Sequence, residues 1–402
     1  MGTREVVIID GVRTPFGRMG GVLRDFTATE LGSFALRGLL DRTKIDKIGR
    51  VDAVFAGTAG GDLYAANIAR YIALQAGLPY ETSATYVEAM CGSAIESINH
   101  AAWKIALGLS DVIIAGGTES FSQAFFRVGT ATPPYRLQVP IPHRHRLTPN
   151  DEDNIPMGIT AENLQEKWNI SRKEQDEFAC RSQARAKKAI EAGYIKENII
   201  PVVIPAKRKT PEIIVNKDEH PRPETTIEGL AKLKPAFKEG GTVTAGNSSG
   251  LNDGAAFVLV MSLEKAQQLG YEPIARWVTS ADCACDPKVM GIAPAYAMPI
   301  ALKRAGLKLK DIDVIECNEA FAVQNLAVIK EIEKQTGEKV NQDIWNPWGG
   351  AIAFGHPNGA SGARVGIFAM KYLEKSSGRY GMFSTCCGGG LGVACIIENL
   401  RR

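Results

Sequence analysis

The chain carries one pattern of residues twice, and this repeat constrains its fold more than any other feature. Segments 40–57 and 302–318 each read as a helix, a short basic turn, an aspartate, a buried apolar strand and then a small or polar residue. A supersecondary unit that recurs in this way indicates a duplicated architecture. The repeat therefore predicts two related halves built from strands and helices.

A second pair of matching segments follows the first. One runs from Cys91 through a helix of small residues to a strand at 112–115, and the other runs from His356 through a helix at 362–373 to a strand at 381–385. Apolar runs of strand length between helical segments indicate buried strands that helices cover. The predicted fold class is therefore α/β.

The two repeats together predict where a site lies. Ligands of open α/β sheets bind beyond the ends of equivalent strands. The residues that follow these strands or open the next helix are Cys91, Asn318, His356 and Cys386. We expect these four side chains to meet in one cleft between the halves.

The middle of the chain has a different composition, because it is polar, charged and interrupted by prolines. We therefore assign residues 1–120 with 249–272 to an N-terminal half, 121–248 to an insertion and 273–402 to a C-terminal half. Within the insertion, Ser171 and a glutamate three residues later form a capping box. This pair predicts an ordered helix from that point.

Composition excludes several classes of protein. A chain of 402 residues exceeds one ordinary core, and 47 basic against 44 acidic residues leave a net charge of +3, too small to indicate binding to nucleic acid or a membrane surface. Eight cysteines in this length are too few for a disulfide scaffold and favour reduced thiols in a cytoplasmic protein. The N-terminus has no signal-peptide pattern and the apolar runs have strand length, so we expect no membrane span.

Cys91 is the first candidate for catalysis. It precedes the small residues Gly92, Ser93 and Ala94 at a predicted helix start, where free N–H groups would lower the pKa of the thiol and hold an anion. A buried packing cysteine is the alternative. Small neighbours that admit a substrate favour a nucleophile.

A histidine and a second thiol complete the candidate chemistry. His356 lies in a glycine-rich loop and is the best base for Cys91, although a structural histidine is the alternative. Cys386 leaves a strand and enters a glycine turn whose N–H groups are unhindered. Neither Cys386 with Cys387 nor the pair in segment 283–285 has the CxxC spacing that zinc prefers, so we expect no metal.

Three further motifs do not support the functions that they suggest. Segment 246–250 matches G-x-S-x-G, but it lacks the buried strand before it and the helix after it that a nucleophile elbow requires. Segment 388–392 does not complete G-x-G-x-x-G and does not open a dinucleotide-binding unit. The sequence contains no GxxxxGK[ST] loop, which argues against nucleotide hydrolysis.

Several ordered segments establish a resemblance over essentially the whole chain. They are 11–17, 90–94, 157–163, 244–256, 318–322, 349–362 and 386–392. With these segments the chain resembles the thiolases, which are acetyl-CoA C-acyltransferases. The resemblance implies a five-layered αβαβα fold of two duplicated halves with a loop domain inserted in the first half, in agreement with the repeat and the insertion.

The resemblance also implies roles for the candidate residues. Cys91 takes the acyl group as a thioester, His356 accepts the Cys91 proton, and Cys386 moves the proton at the α-carbon of the second substrate. Asn318, through a water, forms one oxyanion hole with His356. The amides of Cys91 and Gly388 form the other. The implied substrates are coenzyme A and acetyl-CoA, and no prosthetic group is expected.

Seven residues are implied to contact coenzyme A. They are Arg222 near the nucleotide end, Ser249 and Ala245 along the pantetheine, and Phe237, Ala320, Phe321 and Met157 around the tunnel and the acyl pocket. Without the resemblance, Arg222 reads as a solvated loop charge and Phe237 as a core residue.

The sequence departs from the common thiolase pattern near the acyl pocket. Pro156 stands where many acetoacetyl-CoA thiolases have histidine, and Ala94 stands where glycine is common. Thr118 and Phe121 replace methionines, and residues 121–156 match poorly. These differences bear on the acyl chain length, for which we predict a preference for short chains.

The predicted activity is that of an acetyl-CoA C-acetyltransferase, which catalyses reversible Claisen condensation and thiolysis by a ping-pong route. One alternative is a degradative 3-ketoacyl-CoA thiolase of fatty-acid β-oxidation with a broader chain length, and another is a non-catalytic CoA- or lipid-binding protein. A ketosynthase that condenses acyl carrier proteins is a further alternative. It would have a second histidine, or a histidine and asparagine pair, where Cys386 stands, so this cysteine argues against it. The resemblance also implies a homodimer or homotetramer.

Overall fold

The computed structural model describes residues 3–128, 142–143, 146–206 and 211–402, so part of the poorly matching segment 121–156 lies outside the described residues. The strands are β1 Val6–Arg13, β2 Gly17–Arg18, β3 Ala53–Gly57, β4 Ser83–Val87, β5 Val112–Ser120, β6 Arg127–Val128, β7 Pro142–His143, β8 Val202–Ile204, β9 Ile213–Val215, β10 Asn252–Ser262, β11 Ala275–Ala284, β12 Val314–Cys317, β13 Tyr380–Cys387 and β14 Leu391–Asn399. The α-helices are α1 Ala28–Thr43, α2 Ile45–Ile48, α3 Ile68–Gln75, α4 Ser93–Ala106, α5 Met157–Trp168, α6 Arg172–Glu191, α7 Ile227–Ala231, α8 Leu263–Gln268, α9 Pro294–Ala305, α10 Ala322–Thr336, α11 Ala351–Phe354 and α12 Asn358–Ser376.

The central strands form two groups with the same internal order. The first group runs β4-β3-β5-β10-β1, and the second runs β12-β13-β14-β11. Trp345 pairs in parallel with Ile315 of β12 at the place that β4 occupies beside β3. Among the described residues, the two groups of strands are joined where β1 pairs with β11, through Val7 with Arg276 and Ile8 with Ala275. The predicted duplication is thus confirmed.

The repeat extends to individual hydrogen bonds. Asp52 accepts hydrogen bonds of 2.8 and 3.0 Å from two successive backbone N–H groups that lead into β5. Asp313 accepts hydrogen bonds of 2.6 and 3.0 Å from the matching pair that leads into β13. The same aspartate therefore fixes the same strand connection in both halves.

Three buried apolar clusters separate the sheets and helices into five layers. One cluster lies between the N-terminal strands and the outer helices α1 and α3. A second surrounds α4 and α12, which pack against each other between the two strand groups. The third lies between the C-terminal strands and the outer helices α9 and α10. This arrangement confirms the predicted αβαβα order.

Helix α12 begins at Asn358, four residues before the predicted start at residue 362. The run of glycines disfavoured a helix by propensity. The structure uses these glycines for close packing, because a Cβ at Gly359 would overlap the backbone of Thr118, and one at Gly362 would lie 2.7 Å from the nitrogen of Ile95. Tertiary contacts therefore override the local preference.

The segment between β5 and β10 contributes α5, α6 and α7. At the start of α6, the Ser171 side chain accepts from Glu174 N at 3.2 Å and Glu174 accepts from Ser171 N at 2.6 Å, which confirms the capping box. Arg13 of β1 binds Asp218 of this segment through two hydrogen bonds of 2.6 and 2.7 Å, with both side chains buried. Among the helices of the described ranges, none combines the length and the apolar character needed to cross a lipid bilayer.

Candidate active site

Cys91 lies on a sharp turn between a strand and a helix. The chain leaves β4, passes Met90 with φ of 51°, and forms a short 3₁₀ turn, Met90–Gly92, before α4 begins. A non-glycine residue in this left-handed region costs about 1–3 kcal/mol. A Cβ at Gly92 would lie only 2.7 Å from the sulfur of Cys387, so this position requires glycine. The strain and the packing present Cys91, which is partly exposed, at the start of the helix.

Burial dominates the acidity of Cys91. Desolvation, with a smaller contribution from the Glu119 carboxylate, raises the pKa of the Cys91 thiol to about 12. The nearby backbone N–H groups of Gly388 and of Cys91 itself act in the opposite direction and lower the pKa. The prediction that the helix start lowers this pKa was therefore wrong, because desolvation outweighs the amide donors. Cys91 is a thiol at rest and needs a base.

The Gly388 amide comes from a tight turn after β13. Gly389 and Gly390 have φ of 86° and 88°, a conformation that favours glycine. A Cβ at Gly388 would lie 3.1 Å from the side chain of Leu147, so Leu147 covers this turn. The glycine run thus places an N–H group against Cys91 below an apolar side chain.

Four neighbouring residues fix the position of His356. Gly355, with φ of 93°, turns the chain before it, and the His356 N–H group donates to Asn252 Oδ1 at 3.0 Å. The imidazole Nδ1 lies 2.6 Å from Ser361 Oγ, and Asn318 Nδ2 lies 3.3 Å from Nε2 and 3.4 Å from Nδ1. Burial lowers the pKa of His356 to about 3. The ring is therefore neutral at pH 7, as a proton acceptor must be.

Asn318 follows β12 and is fully buried. Its backbone N–H group donates to Ser384 O at 2.9 Å, which fixes the position of the residue beside β13. Its side-chain oxygen accepts from Arg364 Nη2 at 3.2 Å, and its NH₂ group faces His356. Hydrogen bonds on both sides of the amide therefore define its orientation.

Cys386 occupies the end of β13 and is also fully buried. Desolvation raises its pKa well above the ordinary value, and the nearby Cys91, Cys387 and Cys317 raise it further. Cys386 packs into the outer C-terminal cluster, whereas Cys387 packs into the central cluster. The two adjacent thiols therefore face opposite sides of the strand, and each is protonated at rest.

The structure brings the predicted catalytic segments together. The turn that carries Cys91 contacts both α12, which follows His356, and β13, which ends in Cys386 and Cys387. Asn318 contacts His356 directly. The buried carboxylate of Glu119 joins the halves here, because it accepts from Ala59 N, Gly60 N and Thr58 Oγ1 on one side and from Gly359 N at 3.0 Å on the other.

A cavity of about 500 Å³ opens near this centre. Four of the seven residues predicted to contact coenzyme A line it, namely Arg222, Phe237, Ala245 and Ser249. The guanidinium of Arg222 is exposed and has no hydrogen bond or ion pair to any residue in the described ranges. The cavity therefore offers a free cation beside an apolar wall.

The other three predicted residues do not line the cavity, but they lie next to residues of its wall. Ala320 O accepts from Ser249 N at 3.0 Å, and the Phe321 ring lies 6.1 Å from the Phe237 ring, edge to face. Met157 opens α5, and its neighbour Gly158 lies directly under the Phe237 ring. All seven predicted residues thus gather around one space.

Within the described ranges, no cluster of three or more histidine, cysteine, aspartate or glutamate side chains could hold a metal ion.

Comparisons with known proteins agree with this geometry. The family model for the Thiolase, N-terminal domain matches residues 6–264, and the model for the Thiolase, C-terminal domain matches residues 271–399. The chain belongs to the thiolase family.

Individual thiolases match over their full length. The acetyl-CoA acetyltransferase of Syntrophomonas wolfei subsp. wolfei is 43% identical over 99% of this chain and 100% of its own. The crystal structure of the Bacillus anthracis acetyl-CoA acetyltransferase superposes with a TM-score of 0.92 at 40% identity, over 99% of this chain and 100% of that one. The human mitochondrial 3-ketoacyl-CoA thiolase in complex with CoA superposes with a TM-score of 0.89 at 40% identity, over 98% of each chain.

Five polar residues around the thiolase site were missed by the sequence analysis. They are Glu119, Asn252, Glu316, Ser361 and Arg364. The sequence does mark Glu316 and Arg364. Glu316 is a charged residue within an apolar strand, and Arg364 is a charged residue within a run of small residues in a helix. Glu119 and Asn252 act across long sequence separations, and no local pattern marks them.

Proposed function

We propose that this thiolase is an acetyl-CoA C-acetyltransferase, which joins two acetyl-CoA molecules or cleaves acetoacetyl-CoA through an acyl thioester on Cys91. The observation that supports this most is the hydrogen bond from Asn318 to a neutral, buried His356 beside the Cys91 turn. The set contains a nucleophile, a base and oriented N–H donors, which acyl transfer requires.

The first half-reaction transfers the acyl group to Cys91. His356 Nε2 takes the Cys91 proton as the sulfur attacks the thioester carbonyl of acetyl-CoA. The amides of Cys91 and Gly388 hold the oxyanion, a proposal supported by the influence of both N–H groups on the pKa of the same thiol. When the carbonyl re-forms, the CoA thiolate leaves and receives a proton from the Cys386 thiol, which becomes the thiolate, while His356 keeps the proton of Cys91.

The second half-reaction forms or breaks the carbon–carbon bond. In condensation the Cys386 thiolate removes an α-proton from a second acetyl-CoA, and the resulting enolate attacks the thioester. The Cys91 thiolate that is released takes its proton back from His356. Asn318, through a water, and His356 hold the enolate oxygen. In cleavage the Cys386 thiol protonates the enolate, and its raised pKa favours this protonated form.

The cavity beside the catalytic residues is proposed to hold coenzyme A. Arg222 meets the phosphates at the nucleotide end, Ala245 and Ser249 lie along the pantetheine, and Phe237 with Phe321 lines the tunnel. The related human thiolase in complex with CoA supports this ligand. The free guanidinium of Arg222 is suited to a phosphate.

The insertion, assembly and location of the protein stay proposals. We propose that residues 121–248 form the loop domain, between a half of residues 1–120 with 249–272 and a half of residues 273–402. We further propose a homodimer or homotetramer in the cytoplasm, without a prosthetic group. Size-exclusion chromatography with light scattering distinguishes the monomer from these assemblies.

An assay of acetoacetyl-CoA cleavage tests the proposed reaction. The absorbance of magnesium-complexed acetoacetyl-CoA is followed as free CoA is added, for the wild type, for Cys91→Ala and for the matched control Cys180→Ala at another partly exposed thiol. We expect CoA-dependent loss of signal in the wild type and the control only. CoA binding without turnover in the wild type would instead support the non-catalytic alternative, and an undiminished rate in Cys91→Ala would exclude the thioester.

The acyl chain length requires a separate test. Relatives at similar identity are named both acetyl-CoA acetyltransferase and 3-ketoacyl-CoA thiolase, so the names do not decide it. Leu147 supports short chains because its side chain packs over the turn at Gly388, whose amide faces Cys91, and takes up space that a longer acyl group would need. We expect rates to fall along a series of 3-ketoacyl-CoA substrates and Leu147→Ala to flatten that fall. Faster turnover of long chains by the wild type would identify a degradative thiolase.

A further inference from the structure

A histidine without a part in the proposed chemistry belongs to the wall of the cavity proposed for coenzyme A. His220 lines this space together with Arg222, Ser249 and Gly250. A Cβ at Gly250 would lie only 2.3 Å from His220 Cε1, so the ring packs directly against the segment that carries Ser249. His220 therefore lies on the side of the cavity along which the pantetheine of coenzyme A is proposed to run.

The main chain on both sides of His220 is fixed. Asp218 accepts hydrogen bonds of 2.6 and 2.7 Å from a buried arginine of β1. Glu219 accepts hydrogen bonds of 2.9 and 3.1 Å from two backbone N–H groups of segment 18–22. On the other side, the Arg222 N–H group donates to a glutamine of α6 at 2.9 Å. These contacts hold His220 at the cavity wall independently of its ring.

The His220 ring has one nitrogen beside a protein group and one free nitrogen. Nδ1 lies 3.4 Å from Asn252 Nδ2. Within the described ranges, Nε2 has no hydrogen-bond partner, and it is not shielded from solvent. A polar side-chain atom in a largely enclosed place usually has a partner. Nε2 is therefore a polar group that a ligand in the cavity can satisfy.

The position of Asn252 indicates which part of coenzyme A passes His220. Asn252 Oδ1 accepts from the His356 N–H group at 3.0 Å, so one side chain separates His220 from the catalytic loop. The thiol of the coenzyme reacts at that loop, and the pantetheine leads from the thiol to the phosphates. Arg222, two residues beyond His220, has the charge that suits the phosphates. His220 therefore stands between the two ends, beside the pantetheine.

The charge state of His220 agrees with an uncharged partner. Burial, assisted by the nearby cations Arg18 and Arg222, lowers the pKa of His220 to about 4, so the ring is neutral at pH 7. Pantetheine contains two amide groups, and each of them both donates and accepts hydrogen bonds. A neutral imidazole nitrogen donates in one tautomer and accepts in the other, so an amide matches either form. The contact does not depend on the tautomer.

We propose that His220 is a further binding residue for coenzyme A, whose free ring nitrogen hydrogen-bonds an amide group of the pantetheine. The inference rests on the proposed occupation of this cavity by coenzyme A. Binding is measured without turnover, so a failure of this inference is distinguishable from a failure of the proposed reaction.

Isothermal titration calorimetry with CoA and two of its fragments tests the contact. The fragments are pantetheine and adenosine 3′,5′-bisphosphate, which lacks the pantetheine. In His220→Phe, which keeps a ring without polar atoms, we expect the Kd for CoA and for pantetheine to rise about 3- to 10-fold, the usual value of one neutral hydrogen bond. The Kd for the nucleotide fragment should stay unchanged. Arg222→Met should show the reverse pattern, with weaker binding of the nucleotide fragment and unchanged binding of pantetheine.

Steady-state kinetics and three further variants complete the design. In thiolysis, the KM for CoA should rise by the same factor in His220→Phe with kcat nearly unchanged. His220→Ala also removes the nitrogen and cannot overlap Gly250, so it gives the same test if the phenylalanine does not fit. His220→Gln restores an amide near Nε2 and should keep most of the affinity. His100→Phe, at a histidine outside the cavity, should bind CoA as the wild type does.

The outcomes separate the contact from the ligand. Wild-type affinity for CoA in both His220→Phe and His220→Ala would overturn the inference, and so would an equal loss for the nucleotide fragment. A loss in His220→Gln as large as that in His220→Ala would contradict the hydrogen bond. No binding of CoA by the wild type would overturn the proposed ligand together with this inference.

Discussion

The ends of β3 and β12 occupy equivalent places in the two halves and have opposite characters. Counted from the matching aspartates, Asp52 and Asp313, the equivalent residues are Gly57, which ends β3, and Asn318, which directly follows β12. A Cβ at Gly57 would lie 2.5 Å from the Cβ of Ser93, so no side chain fits there. Asn318 has a full hydrogen-bond set and faces His356.

The next strands repeat this contrast. Thr118 in β5 corresponds to Cys386 in β13, and the Thr118 hydroxyl donates to Ala28 O of α1 at 2.6 Å. Glu119, the counterpart of Cys387, binds backbone N–H groups of both halves. The N-terminal half therefore fills these positions with packing and structural hydrogen bonds and contributes Cys91, whereas the C-terminal half places there two side chains proposed for catalysis, Asn318 and Cys386. One scaffold supports both uses because the connections at Asp52 and Asp313 are unchanged.

Among the variants that test this difference between the halves, the loss of the proposed base His356 should reduce activity the most. In His356→Gln we expect kcat for acetoacetyl-CoA cleavage to fall by about 10³-fold or more, since the Cys91 thiol, with its pKa of about 12, loses its proton acceptor. His100→Gln, in the equivalent helix α4 of the other half, is the matched control and should retain full activity. Similar losses in both variants would contradict the division of labour.

An exchange of the strand-end residues should have the next largest effect. Asn318→Gly should fold and lose about 10²–10³ in kcat, the usual cost of a missing oxyanion donor. Gly57→Asn should lose about 1–3 kcal/mol of folding stability or more, because the new side chain overlaps Ser93. Chemical denaturation and steady-state rates measure the two effects. A stable Gly57→Asn variant would mean that the N-terminal end is not closed by packing.

Acid should destabilise the C-terminal site through His356. Burial lowers the pKa of His356 from 6.5 to about 3, so the unfolded chain binds the proton more readily. This contribution to stability is complete above the unfolded value of 6.5 and is lost as the pH falls towards 3. The free energy of unfolding, measured by urea titration across this range, should fall less steeply in His356→Gln than in the wild type. An identical slope in the two proteins would show that the folded ring is protonated as readily as the unfolded one.

Replacement of either matching aspartate should have the smallest effect, and the loss of stability should be the same for both. Asp52→Ala and Asp313→Ala each remove two hydrogen bonds to backbone N–H groups, for a loss of about 1–2 kcal/mol in unfolding free energy. Both variants should keep the wild-type kcat. If only one of them is destabilised, the two halves do not use the connection in the same way.

The fold could be predicted from the sequence because its main determinants are local. Both copies of the helix–turn–strand unit carry their own apolar pattern and aspartate, and the cysteine and glycine segments lie at strand ends. The predicted start of helix α12 was too late, because the glycines at its beginning have low helix propensity. Gly359 and Gly362 pack against residues far away in the sequence, and this packing stabilises the helix there.

The electrostatics of the site could not be predicted in the same way. The pKa of Cys91 depends on desolvation by both halves, which no helix-start pattern contains. Arg364 and Glu316 appeared only as isolated charges, since their significance depends on the amide between them and His356. Residue types therefore indicated the reactive groups, and only the three-dimensional arrangement defined their protonation states.

The buried carboxylate of Glu119 links the activity of the enzyme to the docking of its two halves. It collects N–H groups from the N-terminal half and from the first turn of α12, which begins just after His356. Neither half alone contains both the carboxylate and that turn. A chain that is incompletely synthesised, or cut between the halves, should therefore have no partial activity. Turnover should appear only when one half docks onto the other.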